Sequence, residues 1–198
     1  MVDPGKPVVA KAVLRQRLLA RRRALTAEEV RTAAAAVADT LVQALAGVRT
    51  VAAFVPDRTE PGHGRLPAAL AGLGARVLLP VIPPVSRELD WAVDSGRLAP
   101  GRFGLLEPVG PRLGPDALGT ADVVVVPALA ADRVGTRLGR GGGYYDTSLV
   151  HARPDAVLVA LLFDGERLEE LPAEAHDRQV TAVVTPSGGW EDLPGRGG

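Results

Sequence analysis

The sequence predicts an α/β fold: a single domain with a mainly parallel sheet flanked by helices and a basic helix pair at the N-terminus. Three observations support this prediction. Two continuous apolar runs, at residues 123–126 and 156–163, are typical of strands buried on both faces. Two helical patterns precede the first strand, and shorter helical patterns separate the later ones. Strands that alternate with helices usually pair in parallel.

The first predicted helix covers residues 11–24. Its leucines recur at helical spacing, and with Leu25 they form one apolar stripe: Leu14, Leu18 and Leu25. Lys11 and Arg15 are four residues apart, so they share a different, basic face of the helix, and we expect Arg22 further along that face.

The second predicted helix covers residues 27–46. Thr26 followed by Glu29 has the spacing of a capping box, in which each side chain bonds the other residue's backbone N–H. Gly47 is suited to end the helix because glycine adopts the left-handed conformation found there.

The remaining elements are shorter. Strands are predicted at residues 50–55, 76–82, 123–126, 156–163 and 181–185, with an edge strand around Trp91, and helices at residues 66–73 and 144–151. We expect one α/β domain over residues 1–186. Residues 187–198 are rich in Gly and Pro, and we expect them to form a loose tail.

Composition excludes several classes of protein. The 198 residues contain no Cys, so a disulfide scaffold, a thiolate zinc site and a Cys nucleophile are excluded. The 23 basic and 23 acidic residues give a net charge of zero, which argues against a surface that grips nucleic acid. No leader pattern or long apolar run is present, so we expect a cytoplasmic protein without a membrane partner.

The stretch most informative about chemistry is VPALAADRVGTRLGRGGGYYD, residues 126–146. It leaves a predicted buried strand, crosses a polar loop and ends in clustered glycines before a helix. Glycines let backbone N–H groups converge on an anion, because no Cβ intervenes. Arg137 and Arg140 add planar donor forks suited to phosphate, and Asp146 is an oxygen ligand of the kind that Mg²⁺ prefers.

These residues alone leave two interpretations open, a nucleotide-phosphate site and a structural turn. The loop has neither the Gly-Lys-Ser/Thr of a P-loop nor the spacing of a dinucleotide fingerprint. Tyr144 and Tyr145 are the only tyrosines of the chain. A solvent-exposed turn does not require two consecutive tyrosines, so their presence favours the phosphate site.

The motif LGRGGGYYD, with the preceding VPALAADRVGTR, resembles the signature of the 5-formyltetrahydrofolate cyclo-ligase family. Four further segments occur in the family's order. They are the Lys-x-x-Leu-Arg opening at residues 11–15, the strand and loop at 51–60, the FGLLEP segment at 103–108, and EAHD at 174–177 followed by VVT at 183–185. The resemblance therefore covers nearly the whole chain.

The resemblance implies a role for each matching position. It implies ATP contacts from Lys11, Arg15, Arg137, Leu138, Gly139, Arg140, Gly141, Gly142, Gly143, Tyr144 and Tyr145. It implies folate contacts from Val55, Glu60, Arg140, Gly141, Gly142, Gly143 and Tyr144. It implies Mg²⁺ ligands at Asp146 and Asp177. The chain departs from the family pattern at Pro61-Gly62-His63, Ala131 and Thr181.

The implied function is ATP-dependent cyclisation of 5-formyltetrahydrofolate to 5,10-methenyltetrahydrofolate, with ATP as co-substrate and Mg²⁺ as cofactor. ADP and phosphate would be released after phosphorylation of the formyl oxygen. We assign Arg140 to charge stabilisation and expect a monomer that binds only small molecules. Two alternatives are a nucleic-acid-binding protein that uses the basic N-terminal helix, and an α/β protein that binds a sugar phosphate or coenzyme A without ATP chemistry.

Overall fold

The computed structural model describes residues 6–172 and 178–194. The helices are α1 (Lys6–Ala24), α2 (Ala27–Ala44), α3 (Leu66–Ala71) and α4 (Tyr144–Ser148). The first strands are β1 (Thr50–Ala52), β2 (Arg76–Val81), β3 (Asp90–Val93), β4 (Leu98–Pro100) and β5 (Leu106–Pro108). The later strands are β6 (Val123–Pro127), β7 (Ala130–Ala131), β8 (Arg137–Leu138), β9 (Val157–Leu161), β10 (Ala182–Thr185) and β11 (Gly189–Asp192).

The predicted fold class is confirmed. In the described part of the chain, seven strands form the main sheet in the order β11-β10-β9-β6-β1-β2-β3. The inner strands from β10 to β2 all pair in parallel. Strands β3 and β11 add antiparallel edges on the two sides. The edge strand predicted around Trp91 is therefore β3.

The core lies on both faces of this sheet, as the continuous apolar strands predict. Val123 and Val125 of β6 pack on one side with Val37 and Leu41 of α2. Val124 and Val126 belong to the cluster on the opposite side. The strand alternates its side chains between two apolar layers and is buried on both faces, so every position of the run has to be apolar.

Helix α2 begins where the capping box predicts. The Thr26 side chain accepts a hydrogen bond from the Glu29 backbone, and the Glu29 carboxylate accepts one from the Thr26 backbone N–H at 2.7 Å. The Thr26 backbone N–H and hydroxyl both donate to the Glu29 carboxylate, and these two bonds lower the pKa of Glu29 below its usual value. The sequence thus specifies the end of α1 and the start of α2 locally, without help from the sheet.

Helix α1 is held by a buried ion pair. The Arg22 guanidinium donates to both carboxylate oxygens of Glu166 at 2.7 Å and to the Ala128 carbonyl oxygen at 2.6 Å. Arg22 was expected on the basic face of the helix, but only 2% of it is exposed. The alternative function was nucleic-acid binding by the basic N-terminal helix. Arg22 cannot contribute to such binding, because its side chain is buried in the interior.

The strand order determines where the loops that carry the candidate residues lie. The chain runs from β1 to β2 on one side, and β6 lies on the other side of β1. At such a switch point, the loops after the two strands diverge and leave a crevice in which ligands of open α/β sheets bind. The segments that follow β1 and β6 carry most of the candidate residues.

Two features differ from the predicted elements. Residues from 187 onward were expected to be loose, whereas Gly189–Asp192 forms strand β11, and Leu193 is buried. A turn stabilised by a hydrogen bond from the Gly188 N–H to the Thr185 hydroxyl brings this strand back beside β10. The short hairpins β4–β5 and β7–β8 were not predicted, because two- and three-residue strands leave no periodic pattern.

The division of the chain at residue 186 stays a prediction, and residues 195–198 lie outside the described part. Among residues 6–172 and 178–194, no helix is both long enough and apolar enough to cross a membrane.

Candidate active site

A pocket opens at the carboxyl ends of β1 and β6, between the glycine loop at residues 139–143 and the hairpin β4–β5. Its wall includes most of the residues singled out in the sequence: Val55, Glu60, Arg137, Gly139, Arg140, Gly141, Gly142, Gly143, Tyr144, Tyr145 and Asp146. Segments far apart in the chain thus meet at the sheet's switch point.

The glycine loop has a backbone conformation that other residues rarely adopt. Gly141 has φ 97° and Gly143 has φ 75°, both in the left-handed region where a Cβ is strained. Arg15 of α1 supports the loop, since its Nε donates to the Gly139 carbonyl oxygen at 2.9 Å. Arg15 therefore acts on the loop's shape, whether or not it also contacts ATP.

Three of the predicted ATP contacts do not line the pocket: Arg15, Lys11 and Leu138. Lys11 of α1 is 7% exposed. Leu138 of β8 is buried and packs with Leu18 and Leu129 beneath α1. The Leu138 side chain belongs to the core, so a contact to nucleotide would have to come from its backbone.

Arg140 joins the glycine loop to the segment after β1. One guanidinium nitrogen lies 2.7 Å from the Asp57 carboxylate, and Nε lies 3.3 Å from the Glu60 carboxylate. A third bond runs to the Thr59 hydroxyl at 2.8 Å. Sequence reasoning missed Asp57, although an acid three residues before Glu60 in the same loop was a usable signal.

The two carboxylates have opposite pKa shifts. Burial raises the pKa of Glu60, and the negative charge of Asp57 raises it further, against the opposing charge of Arg140. Burial also acts to raise the pKa of Asp57, but hydrogen bonds from Thr59 and Arg140 outweigh it and lower that pKa. Asp57 thus stays ionised beside Arg140, and Glu60 holds a proton more readily.

Arg137 and Asp146 form an ion pair on the opposite wall of the pocket. The Arg137 side chain is 5% exposed, and that of Asp146 is 42% exposed. Arg137 also donates to the Pro127 carbonyl oxygen at 3.4 Å, at the carboxyl end of β6. The exposed Asp146 carboxylate is accessible to a cation in the pocket, while Arg137 is fixed behind it.

The second predicted metal ligand, Asp177, lies outside the described residues. Within residues 6–172 and 178–194, no cluster of three or more His, Cys, Asp or Glu side chains is arranged to hold a metal ion. Mg²⁺ in proteins is commonly held by one or two carboxylates together with water and substrate phosphates. Asp146 fits that kind of site.

An aromatic pair lies at the mouth of the pocket, and sequence reasoning gave its outer member no role. Phe103, in the turn of the hairpin β4–β5, is 70% exposed and has φ 57°, rare for a residue with a side chain. Its ring meets that of Tyr144 edge-on, with the centroids 6.4 Å apart. An exposed phenyl ring held in a strained turn favours a binding role over a packing one.

Glu107 and Arg87 are two further charged residues at this pocket that were given no site role. Glu107 lines the wall, and its carboxylate accepts a hydrogen bond from the Ile82 N–H at 3.1 Å. The Arg87 guanidinium lies against the glycine loop, 3.2 Å from where a Cβ on Gly143 would stand. Arg87 comes from the irregular segment between β2 and β3, which gives no sequence signal.

The chain is similar to known proteins of one family. Residues 7–186 match the family model described as the 5-formyltetrahydrofolate cyclo-ligase family. The chain is 44% identical over 189 residues to the 5-formyltetrahydrofolate cyclo-ligase of Mycolicibacterium smegmatis, covering 91% of this chain and 95% of that one. It is 34% identical over 180 residues to the enzyme of the same name from Escherichia coli, covering 86% and 97%.

Two solved structures are similar to this fold. The NMR structure of Aquifex aeolicus 5,10-methenyltetrahydrofolate synthetase superposes with a TM-score of 0.76 at 29% identity, covering 95% of this chain and 94% of that one. A 5,10-methenyltetrahydrofolate synthetase from Mycoplasma pneumoniae superposes with a TM-score of 0.68 at 20% identity, covering 87% and 96%. The second likeness concerns the fold alone.

Proposed function

The chain is an enzyme of the 5-formyltetrahydrofolate cyclo-ligase family, and on that premise we propose that it uses ATP to convert 5-formyltetrahydrofolate to 5,10-methenyltetrahydrofolate. ADP and phosphate are the other products. The observation that carries this proposal is the bridge made by Arg140, which links the glycine loop to the carboxylates of Asp57 and Glu60 across one pocket. Two ligands bound at the two sides of Arg140 would meet at its guanidinium.

The chemistry requires activation of a poor leaving group. The formyl oxygen attacks the γ-phosphorus of ATP, an O–P bond forms, and ADP leaves with the electron pair of the bond that breaks. The formyl carbon becomes an iminium-like phosphate ester. The neighbouring amine nitrogen attacks this carbon and loses its proton, and phosphate departs with the C–O electron pair. This sequence of steps needs no covalent nucleophile from the protein.

The folate side of the pocket is assigned to Glu60 and Val55. The Glu60 carboxylate is 8% exposed and accepts a hydrogen bond from the Asp57 N–H at 2.9 Å, which fixes its orientation. A buried carboxyl group suits the paired N–H donors of an aminopyrimidine edge. The aromatic rings of Phe103 and Tyr144 at the pocket mouth offer apolar surface to the rest of the folate.

The nucleotide side is assigned to the glycine loop and Arg137. Phosphoryl transfer is catalysed mainly by positioning the reactants and by stabilising charge. Backbone N–H groups of the loop would bind phosphate oxygens, and the guanidinium of Arg140 would bind the transferred group. Arg15 contributes by holding Gly139 in place.

Mg²⁺ completes the proposed site. When bound, it neutralises charge on the β- and γ-phosphates of ATP. Asp146 would hold it, together with Asp177 and phosphate oxygens. The Arg137 guanidinium already pairs with Asp146 and orients its carboxylate. Cytoplasmic location and a monomeric state also stay predictions.

The decisive experiment is formation of the methenyl chromophore, followed by absorbance. We expect it only when ATP, Mg²⁺ and 5-formyltetrahydrofolate are all present, with one ADP released for each methenyl product. Product formed at the same rate without ATP would refute the ATP-dependent step. Binding of ATP or of a sugar phosphate without any product would favour the alternative of an α/β binding protein.

A further inference from the structure

Two buried hydrogen-bond donors in the pocket wall lack a partner in the part of the chain that the structure describes. They are the Nε–H of Arg137 and the hydroxyl of Tyr145. An unpaired buried donor has lost its hydrogen bonds to water without a replacement, so native structures rarely leave one unexplained. Both residues line the pocket, so an oxygen atom of a bound ligand is the partner that would satisfy these donors.

The Tyr145 hydroxyl is held in place by its surroundings. Its ring packs against the apolar clusters on both faces of the sheet, so the side chain has little freedom to turn away. A phenol has a pKa of about 10 in water, so a tyrosine hydroxyl keeps its proton at neutral pH and is available as a hydrogen-bond donor.

The position of Tyr145 is informative because it lines the same pocket as residues from both proposed ligand sides. Glu60 belongs to the proposed folate side and Arg137 to the proposed nucleotide side. The Tyr145 side chain therefore lies in the wall that the two proposed ligands would share.

We propose that the Tyr145 hydroxyl donates a hydrogen bond to a phosphoryl oxygen while that group passes from ATP to the formyl oxygen, with the Arg137 Nε–H as a second donor. This assignment rests on the proposed function. It makes Tyr145 a catalytic residue, because its hydroxyl touches the reacting group.

The chemical step stays balanced without a proton from the protein. The O–P bond to the formyl oxygen forms as the O–P bond to ADP breaks, and Tyr145 keeps its hydrogen throughout. Its contribution is a fixed donor aimed at oxygens that carry more charge in the transition state than in bound ATP. A donor of this kind lowers the barrier more than it strengthens substrate binding.

The test is Tyr145→Phe, which removes the hydroxyl and keeps the ring. By analogy with loss of one preorganised donor, we expect kcat to fall about 100- to 1,000-fold. The KM values for ATP and for the folate should stay within about twofold of wild type, because only the transition-state contact is lost. A parallel readout is calorimetric binding of ADP with tetrafluoroaluminate and Mg²⁺, a mimic of the transferring phosphoryl group. It should weaken while binding of ADP alone is retained.

The matched control is Thr136→Val. The Thr136 hydroxyl is also buried without a partner among the described residues, but it does not line this pocket. We expect this variant to keep the kcat of wild type. Circular dichroism would give the folded fraction of each variant, and kcat would be normalised to that fraction so that instability is not read as lost catalysis.

The outcomes separate this inference from the proposed function. A wild-type protein that makes no methenyl product overturns the proposed function, and the inference with it. An active wild type together with a Tyr145→Phe variant of unchanged normalised kcat overturns only the role of Tyr145. Equal losses of kcat in Tyr145→Phe and Thr136→Val would also overturn it, because they would show a structural effect.

Discussion

At the scale of single residues, Arg140 makes the contact that joins the two sides of the pocket. It pairs with two carboxylates, so its removal has two effects. In the proposed mechanism the transferred phosphoryl group loses a donor, and in the protein Asp57 and Glu60 are left with unbalanced negative charge. The first effect acts on turnover, and the second acts on folate binding through a further rise in the pKa of Glu60.

Arg140→Ala should therefore lower turnover more than it weakens ATP binding. Loss of one preorganised electrostatic donor costs about 2–4 kcal/mol of transition-state stabilisation. Arg140→Lys keeps the charge but loses the planar fork, so it should rescue only part of the activity. The measurement is kcat beside the Kd for ATP. Near-normal turnover in Arg140→Ala would remove Arg140 from the mechanism.

Glu60→Gln should raise the KM for the folate and leave that for ATP largely unchanged. The amide keeps the shape of the side chain but offers one acceptor and one donor in place of two acceptors, which mismatches a pair of N–H donors. The two constants are obtained by varying each substrate in turn. A rise in the KM for ATP without a rise in the KM for the folate would show that the proposed positions of the two ligands are reversed.

Asp146→Asn should shift the Mg²⁺ dependence of the reaction to higher concentration. An amide oxygen is a weaker ligand for Mg²⁺ than a carboxylate, so activity should recover only in part with excess metal. Asp146 is also the ion-pair partner of the buried Arg137 guanidinium, so the variant should lose some stability too, and activity is normalised to the folded fraction measured by circular dichroism. An unchanged Mg²⁺ titration would leave Asp146 with only the roles of α4 turn residue and partner of Arg137.

At the scale of elements, the attachment of α1 depends on one buried ion pair. Both side chains of Arg22 and Glu166 are 1% exposed, and Arg22 also lies 5.3 Å from the centre of the Phe163 ring. Removing one member of such a pair leaves a buried charge without compensation. The pair holds α1 against the sheet, and α1 in turn carries Arg15, which supports the glycine loop.

Glu166→Gln should lower the free energy of unfolding by about 3–5 kcal/mol, because the buried guanidinium loses its counter-charge. The matched control is Arg31→Ala, which breaks an exposed pair with Glu28 on α2 and should cost about 0–1 kcal/mol. Urea unfolding followed by circular dichroism gives both values. Equally small losses of unfolding free energy in both variants would show that the Arg22–Glu166 pair does not hold α1 in place.

At the scale of the whole molecule, the sequence was sufficient to predict the elements that have strong local signals. The capping box located the start of α2, and the apolar runs located β6 and β9, because these features depend on neighbours in the chain. The glycine loop was found for the same reason, since a left-handed backbone strongly favours glycine.

Contacts between distant segments could not be predicted from the sequence. Nothing local indicates that Arg140 pairs with Asp57, that Arg22 is buried against Glu166, or that Phe103 faces Tyr144. These contacts exist because the strand order brings the loops after β1 and β6 together. The sequence could therefore nominate most of the pocket's residues but not the bonds among them.

The way α1 is attached also has a consequence for the order in which the molecule assembles. Arg15 and Arg22 lie near the start of the chain, yet their partners Gly139 and Glu166 follow them by 124 and 144 residues. During synthesis α1 leaves the ribosome before these partners and must wait for them. Contacts of such long sequence separation form slowly, because the intervening loop has to close before they stabilise anything. The glycine loop therefore gains its support from Arg15 only after the 124 residues that follow Arg15, up to Gly139, have been made, and the pocket is completed late in folding.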